Sequence, residues 1–332
     1  MVKKKVKYHK NPISSSNRIS QQLFAKKGFT QQGVALITAL LVVALATIAA
    51  VAMTARQQLD IRRTANVING EQAYMYALGV ESWAKRILLR DGKNNQIDSL
   101  NDIWATQLPP LPIPGGTIQA QLEDLQGRFN LNNLVQAHQA SPEDMVLFER
   151  LLRVLELEPT LAQAVVDWID NDMDTQIPNG AEDNTYLAKT PAYRTSNMPF
   201  CSPSEIRLLA GFDNDSYQKL LPYISTLASR TPINVNTAPL PVLMALVEGL
   251  TEKEATTLIA DREVKPFESV QDFLIHNALA GLKVDGKNLA TSSRYFMFTA
   301  KVHIDRGQAQ LNSVLHRLPD TVKVVMRNQG EL

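Results

Sequence analysis

One cysteine, Cys201, stands among 332 residues, so no disulfide can form within this chain. Catalytic signatures are missing as well. There is no HExxH, no Walker loop and no GxSxG elbow, the five histidines are scattered without zinc spacing, and none accompanies Cys201 in a nucleophile pattern. These absences exclude the familiar hydrolase, nucleotide-binding and zinc classes, and the chain reads as a non-enzyme. Aromatic residues make up only 6%, and Trp83, Trp104 and Trp168 read as core anchors rather than a stacking platform. Acidic residues are absent before Gly33, where Lys3, Lys4, Lys5, Lys7, Lys10, Arg18, Lys26 and Lys27 cluster. Charge of either sign is absent from Val34 to Ala55.

That uncharged run of 22 residues is about 33 Å of helix at ~1.5 Å per residue, enough to cross a bilayer core of ~30 Å. A secretory signal peptide has a shorter apolar core and a small-residue cleavage site after it. The basic cluster beside the span places this end in the cytoplasm and the remainder across the membrane. Without those eight cations the remainder holds 26 basic against 33 acidic side chains, a balance of about −7. Bulk charge therefore disfavours nucleic acid and anionic lipid as partners of the exported part.

Two glycines precede the span. Cutting after Gly28, in KKGFT, would leave the polar stretch FTQQG ahead of the apolar run; cutting after Gly33 would not. A basic leader ending in Gly and followed by VALITALLVVALATIAAVA resembles the type IV prepilin-like N-terminus cut by prepilin peptidase, and the processed bond is expected between Gly33 and Val34. Thr38 then becomes the fifth mature residue. Most pilins and pseudopilins carry Glu there, whose carboxylate neutralises a neighbour's N-terminal ammonium; Thr38 cannot supply that charge. In this departure the chain resembles the K-type minor pseudopilins of type II secretion, the general secretion pathway protein K family. The resemblance implies a subunit at the pseudopilus tip that helps to initiate assembly and to export folded proteins across the outer membrane. It implies a single-pass anchor in the bacterial inner membrane, a periplasmic C-terminal domain, and partners among the other minor pseudopilins: the I- and J-types, then the H-type.

The fold is expected to be α+β. Residues 56 to 91 have strong helix formers and no proline, with Ile61, Ala65, Ile68, Gln72, Met75 and Gly79 at helical spacings and Gly92 as the stop. PPLPIPGG (109–116) reads as a stiff connector, and TIQAQLEDLQGRFNLNNL as one or two strands broken at Gly127. Near the C-terminus three strand-like runs are separated by turns at Asp305-Arg306-Gly307 and Leu318-Pro319-Asp320. The segments are thus a leader (1–33), a transmembrane helix (34–55), its continuation (56–92), a connector with first strands (93–133), a helical middle (134–292) and C-terminal strands (293–332). Family resemblance makes the middle an α-helical domain inserted into a small antiparallel pseudopilin sheet.

The middle contains an echo. RFNLNNL, from Arg128, matches PINVNTA, from Pro232, and each is followed by an apolar helix, a short turn and another helix. The second copy, running on to KPFESVQDFL, looks like a helix-hairpin-helix unit, which raises a rival reading: a membrane-anchored DNA-binding protein resembling competence DNA receptors. Such units bind phosphate through backbone N–H groups in a Gly-hydrophobic-Gly hairpin. The hairpins here, EGLT and LEPT, hold only Gly249, and Glu156, Glu158 and Glu248 would repel phosphate. Both copies are read as packing scaffolds.

Residues 167 to 187, DWIDNDMDTQIPNGAEDNTYL, place six acids within 17 residues and no adjacent cation. Asp170, Asp172 and Asp174 alternate, and Glu182 and Asp183 follow a Pro-Asn-Gly turn. Hard oxygen donors on a loop suit Ca²⁺. This is not an EF-hand: Thr175 replaces the loop glycine, and Ala181 stands where the bidentate Glu belongs. A solvated loop is the ordinary fate of a charge run. The K-type family carries Ca²⁺ in its α-domain, and DWID followed by GAED with Tyr186 nearby resembles its binding segment. The resemblance makes Asp170, Asp172, Asp174, Glu182 and Asp183 the expected ligands, with Asp167 one helical turn away. Ser202-Pro203-Ser204-Glu205 reads as a capping box.

Overall fold

A computed structural model describes residues 31–107 and 109–330, with side chains from Gly33 onward. The basic cluster and Gly28 lie outside the described residues. The chain divides into two compact units, residues 1–63 and 64–332. Helix α1 spans Gln31–Asn94, and its described apolar side chains from Val34 to Met53 are exposed. It is long and apolar enough to cross a membrane.

Gly92 does not stop the helix, which continues to Asn94. A Cβ at Gly92 would lie 3.1 Å from the Arg317 side chain, so the missing side chain serves close approach. The residues noted at helical spacings are not the ones the helix buries. Ile61, Ile68 and Met75 are exposed, whereas Ala73, Ala77, Glu81, Ala84 and Leu88 are buried. Small side chains such as Ala73, Ala77 and Ala84 let the helix lie close against the sheet, with Leu88 filling the space beside them.

After α1 come β1 (Leu111–Ile113), β2 (Gly116–Asp124) and the two-residue strands β3 (Phe129–Asn130), β4 (Val135–Gln136) and β5 (Gln139–Ala140). Then follow α2 (Pro142–Val154), α3 (Leu161–Ile169), α4 (Asp183–Leu187) and α5 (Asn214–Leu220). Short strands β6 (Ile224–Ser225) and β7 (Ile233–Asn234) lead into α6 (Leu240–Leu246), α7 (Glu252–Val264), α8 (Val270–Leu274) and β8 (Leu289–Ala290). The chain closes with β9 (Tyr295–Ile304), β10 (Gly307–Arg317) and β11 (Val322–Gln329), with the turns where they were expected.

The main sheet has the order β1-β2-β9-β10-β11, and every neighbouring pair is antiparallel. PPLPIPGG is more than a connector: its centre forms edge strand β1, which turns through Gly115 at φ +79° to pair with β2. Alternation along β9 buries Phe296, Phe298, Ala300, Val302 and Ile304 on the face that packs with Ala73, Ala77, Ala84 and Leu88 of α1. Burying a side chain such as Leu88 contributes about 1.5–3 kcal/mol. Glu81 is buried in this interface. Burial opposes its ionisation, but Arg327 (2.8 and 3.0 Å) and the Ser313 hydroxyl (2.7 Å) hold its carboxyl below the usual range.

The helical block between β2 and β9 has its own core, built from α2, α3, α6, α7 and the short elements around them. Its two sequence copies are structurally parallel. In each, a short strand pairs in parallel with a later one, β3 with β6 and β7 with β8. Asn130 accepts from the Asn132 amide (3.2 Å), and Asn234 from the Asn236 amide (3.0 Å). The second asparagine of each copy then brackets one phenylalanine backbone. Asn132 bonds the N–H and C=O of Phe200 (2.8 and 3.0 Å); Asn236 bonds those of Phe267 (2.9 Å each).

Candidate metal centre

Seven of the nine residues of α3 are buried apolar side chains, and an eighth, Asp167, is buried with them. The helix ends in the DWID sequence, with Asp170 as C-cap and no basic residue in the last turn. Carboxylates at a helix C-terminus sit at the negative end of the dipole, so this arrangement asks for a cation.

The chain leaving Asp170 returns through the Pro-Asn-Gly turn. Gly180 passes so close to Asp167 that a Cβ would lie 2.2 Å from its Oδ2, while the Gln176 amide donates to both Asp167 oxygens (3.3 and 3.2 Å). Asp167 is therefore the post around which the loop folds. The return brings Glu182 to Asp170. Oxygens of Asp170, Asp172 and Glu182 lie within 4.8 Å of one another. Asp170 and Glu182 are each only 3% exposed, and Asp170 Oδ1 and Glu182 Oε1 are buried without a hydrogen-bond donor. Burial first, then neighbouring carboxylates, pushes both groups up to about 7; burial pushes Asp167 up to about 6 despite the backbone amides that bond it.

Two of the five expected ligands stand apart from this trio. Asp183 is committed elsewhere: Arg194 ion-pairs with it at 3.1 Å, and Thr195 donates through its amide (3.1 Å) and hydroxyl (2.9 Å). Asp174 is exposed, and its amide donates to Asp172 Oδ1 at 2.9 Å. Thr195 and Arg194 carry no motif; folding alone brings them to Asp183. Tyr186 is not beside the oxygens as a ligand. It is fully buried, edge-on to Trp168 and stacked on Tyr193 with ring centroids 5.3 Å apart in both cases, and its hydroxyl accepts from the Ala210 amide. Glu205 is occupied in a capping box with Ser202, as its sequence context indicates.

The donor set fits a hard divalent cation: two buried carboxylates, each with an unpartnered oxygen, and a third at the surface. Asp170, Glu182 and Asp172 are the residues able to hold it.

At the other end of the chain, Gly33 and Val34 are exposed near the start of α1. The Thr38 hydroxyl donates to the Val34 and Ala35 carbonyls, both at 3.0 Å, so it is satisfied within its own helix. At the hairpin tips, Glu156 has φ +57° and Gly249 φ +83°, and exposed Glu248 ion-pairs with Arg150.

Two family models, both described as type II secretion system (T2SS), protein K, match residues 127–229 and 233–292, one for each copy of the echo. The chain is 39% identical over 313 residues to the type II secretion system protein K of Pseudomonas aeruginosa, covering 91% of this chain and 93% of that one. Against the protein of the same name from Klebsiella pneumoniae it is 37% identical over 317 residues, covering 90% and 97%. Its structure resembles a chain in the crystal structure of the GspK-GspI-GspJ complex from the enterotoxigenic Escherichia coli type 2 secretion system. The TM-score is 0.74 with 29% identity, over 81% of this chain and 100% of that chain. None of these relatives supports the DNA-binding alternative.

Proposed function

The chain belongs to the type II secretion system protein K family, and from that premise we propose that this minor pseudopilin caps the pseudopilus tip. The observation that carries the reading is Thr38, whose hydroxyl is returned to its own helix and offers no charge to a neighbour's ammonium. A filament subunit needs that charge on the side facing the next subunit; a cap does not. The block of helices between β2 and β9 agrees with this, because so large an insertion is too bulky to repeat at every step of a narrow fibre.

On this reading prepilin peptidase cuts between Gly33 and Val34, and the new terminus is N-methylated. Processed subunits are held in the inner membrane by the apolar part of α1, with the helical block in the periplasm, until assembly. The I- and J-type subunits join first, in keeping with the GspI and GspJ chains present in the related complex, and the H-type subunit follows. Ca²⁺ held by Asp170, Glu182 and Asp172 supplies the positive charge that the α3 terminus lacks and ties the returning loop to the helix.

Mass spectrometry of the N-terminus of membrane-extracted protein tests the processing. A mature chain beginning at Val34 is expected; Phe29 as first residue would assign the cut to Gly28, and an uncleaved chain would sink the pseudopilin reading. For the tip, Thr38→Glu should complement a deletion strain as well as the native chain does. Labelling along the whole length of assembled pseudopili would remove the cap assignment.

A further inference from the structure

A second group of carboxylates lies at the root of the helical block, far in sequence from the loop just described. Asp91 is in the last turn of α1, and Asp98 and Asp102 belong to the segment that follows it. One oxygen from each of the three lies within 4.8 Å of the others. Two ligands on opposite sides of a Ca²⁺ ion, each at about 2.4 Å, are about that far apart.

The group is short of positive charge. Among the described residues its ion-pair partner is Arg317, which reaches Asp91 Oδ2 at 3.0 Å and Asp98 Oδ2. Asp102 has no ion pair among the described residues; its oxygens accept from the Asn95 side-chain amide (3.2 Å) and the Ser99 backbone amide (2.7 Å). Three carboxylates thus face one guanidinium. Neighbouring Asp124 adds a fourth, and it is bonded only by neutral donors from Ser293, Thr237, Asn234 and Gln126.

A separate observation points to a ligand. Asp98 is 1% exposed, its Oδ2 is taken by Arg317 and the Ser293 amide, and its Oδ1 is buried with no donor at all. An unpartnered buried carboxylate oxygen costs several kcal/mol unless something positive meets it. An ion-pair cluster serving Arg317 alone would explain Asp98 Oδ2 and leave Oδ1 unmet.

We propose that Asp91, Asp98 and Asp102 form a second site for a hard divalent cation, of the Ca²⁺ class, at the junction of α1 with the helical block. The ligands come from a helix end and an irregular segment, and Asp91 and Asp102 are half-buried, so water completes the shell. Ca²⁺ tolerates such an irregular set of six to eight oxygens, whereas Mg²⁺ demands near-octahedral geometry at 2.0–2.1 Å. The occupied site fastens three parts of the chain at one point: the end of α1, the segment after it, and Arg317 at the end of β10. Ser293, beside the return to the sheet, is drawn in through its amide on Asp98 and its carbonyl on Arg317.

The test uses the full chain in detergent micelles with the loop centre disabled by Asp170→Asn and Glu182→Gln. Equilibrium dialysis against micromolar Ca²⁺ with millimolar Mg²⁺ present counts the ions retained. One ion per chain is expected in this background, with affinity falling at least tenfold on adding Asp102→Asn. Asp102 makes no ion pair among the described residues, so this variant keeps the Arg317 contacts; Asp91→Asn is the second variant if Asp102→Asn fails to fold. A background chain that retains no ion, or retention that neither substitution weakens, overturns the proposal.

Discussion

The two copies of the echo share a scaffold and differ most in the segment that follows their second helix. Each has the strand, the paired asparagines, two helices and a bracketed phenylalanine, after which a serine caps the next turn: Ser202 beyond Phe200 and Ser269 beyond Phe267. In the second copy only Lys265 and Pro266 separate the end of α7 from Phe267. In the first, residues 170–199 lie between the end of α3 and Phe200, and this excursion holds the acidic loop. The helix ends differ to match. The last turn of α7 carries Arg262, buried, whose Nη1 donates to the Val235 carbonyl at 2.5 Å; the last turn of α3 has no cation and is followed by Asp170. A side-chain cation stands in the last turn of one copy, and we propose that a metal supplies the positive charge in the other. A longer loop costs only about 0.6 kcal/mol per doubling in closure entropy. Its expense lies in the buried carboxylates, which is where the copies can be told apart.

The largest effect should come from the shared part. Asn236→Ala leaves the Phe267 N–H and C=O without partners in a buried setting, and at ~1–3 kcal/mol per orphaned group a loss of about 2–6 kcal/mol is expected on thermal melting of the full chain. Asn132→Ala should cost less, because the Phe200 bracket is only partly buried. An equal or greater loss there would break the ranking.

Divalent ions should distinguish the copies next. At free Ca²⁺ ~100 times its dissociation constant, ligand linkage contributes about 2.7 kcal/mol. Hydrogen exchange should show chelation stripping protection from residues 161–187 while residues 240–264 keep theirs. Uniform loss across both ranges would deny the first copy its metal.

A smaller effect is expected from pH with chelator present. Asp170 and Glu182 sit at about 7 and Asp167 at about 6 in the folded chain, well above their unfolded values. The native state therefore holds these protons more tightly, and stability falls as pH rises through the range from about 4 to about 7. Added Ca²⁺ should flatten that slope. A slope of opposite sign would mean that the carboxylates already have a cationic partner. Arg262, which burial lowers to about 10, titrates outside this window and gives the second copy no such response.

The smallest effect lies at the hairpin tips. Glu156 adopts the left-handed conformation that Gly249 adopts in the other copy. Glu156→Gly should stabilise by up to ~1 kcal/mol and Gly249→Ala should destabilise by a similar amount, read from denaturant midpoints. Destabilisation by Glu156→Gly would show that its side chain contributes more than its backbone costs.

Much of this architecture was legible in the residues. Three strand-like runs marked β9 to β11, and Asp305-Arg306-Gly307 and Leu318-Pro319-Asp320 marked their turns. The stripe on α1 was not, because hydropathy selects Ile68 and Met75 whereas close packing against a sheet selects Ala73 and Ala77. Strand β1 was hidden inside a proline-rich stretch, where an edge position tolerates Pro112. At the candidate metal centre, the acid-rich run announced itself, but its sharing of work did not. Asp183 and Asp174 look equivalent to Asp172 in sequence, and only Arg194 and Thr195 at 3.1 and 2.9 Å separate Asp183 from the others. The trio at Asp91, Asp98 and Asp102 passed unread because nothing in its spacing matches a loop motif.

By itself the sequence determined the uncharged span, a helical middle with strands on either side, and the duplication of the NxN unit. Those properties depend on periodicity and on residues within a few positions of one another, which local physics settles. Tertiary structure decided which carboxylates meet and which find a cation. Asp170 meets Glu182 because Gly180 can slide past Asp167, and Asp98 keeps a free oxygen because Arg317, 219 residues later, takes the other. Charge in a protein interior is set by what the fold brings within a few ångströms, and chain distance carries no record of that.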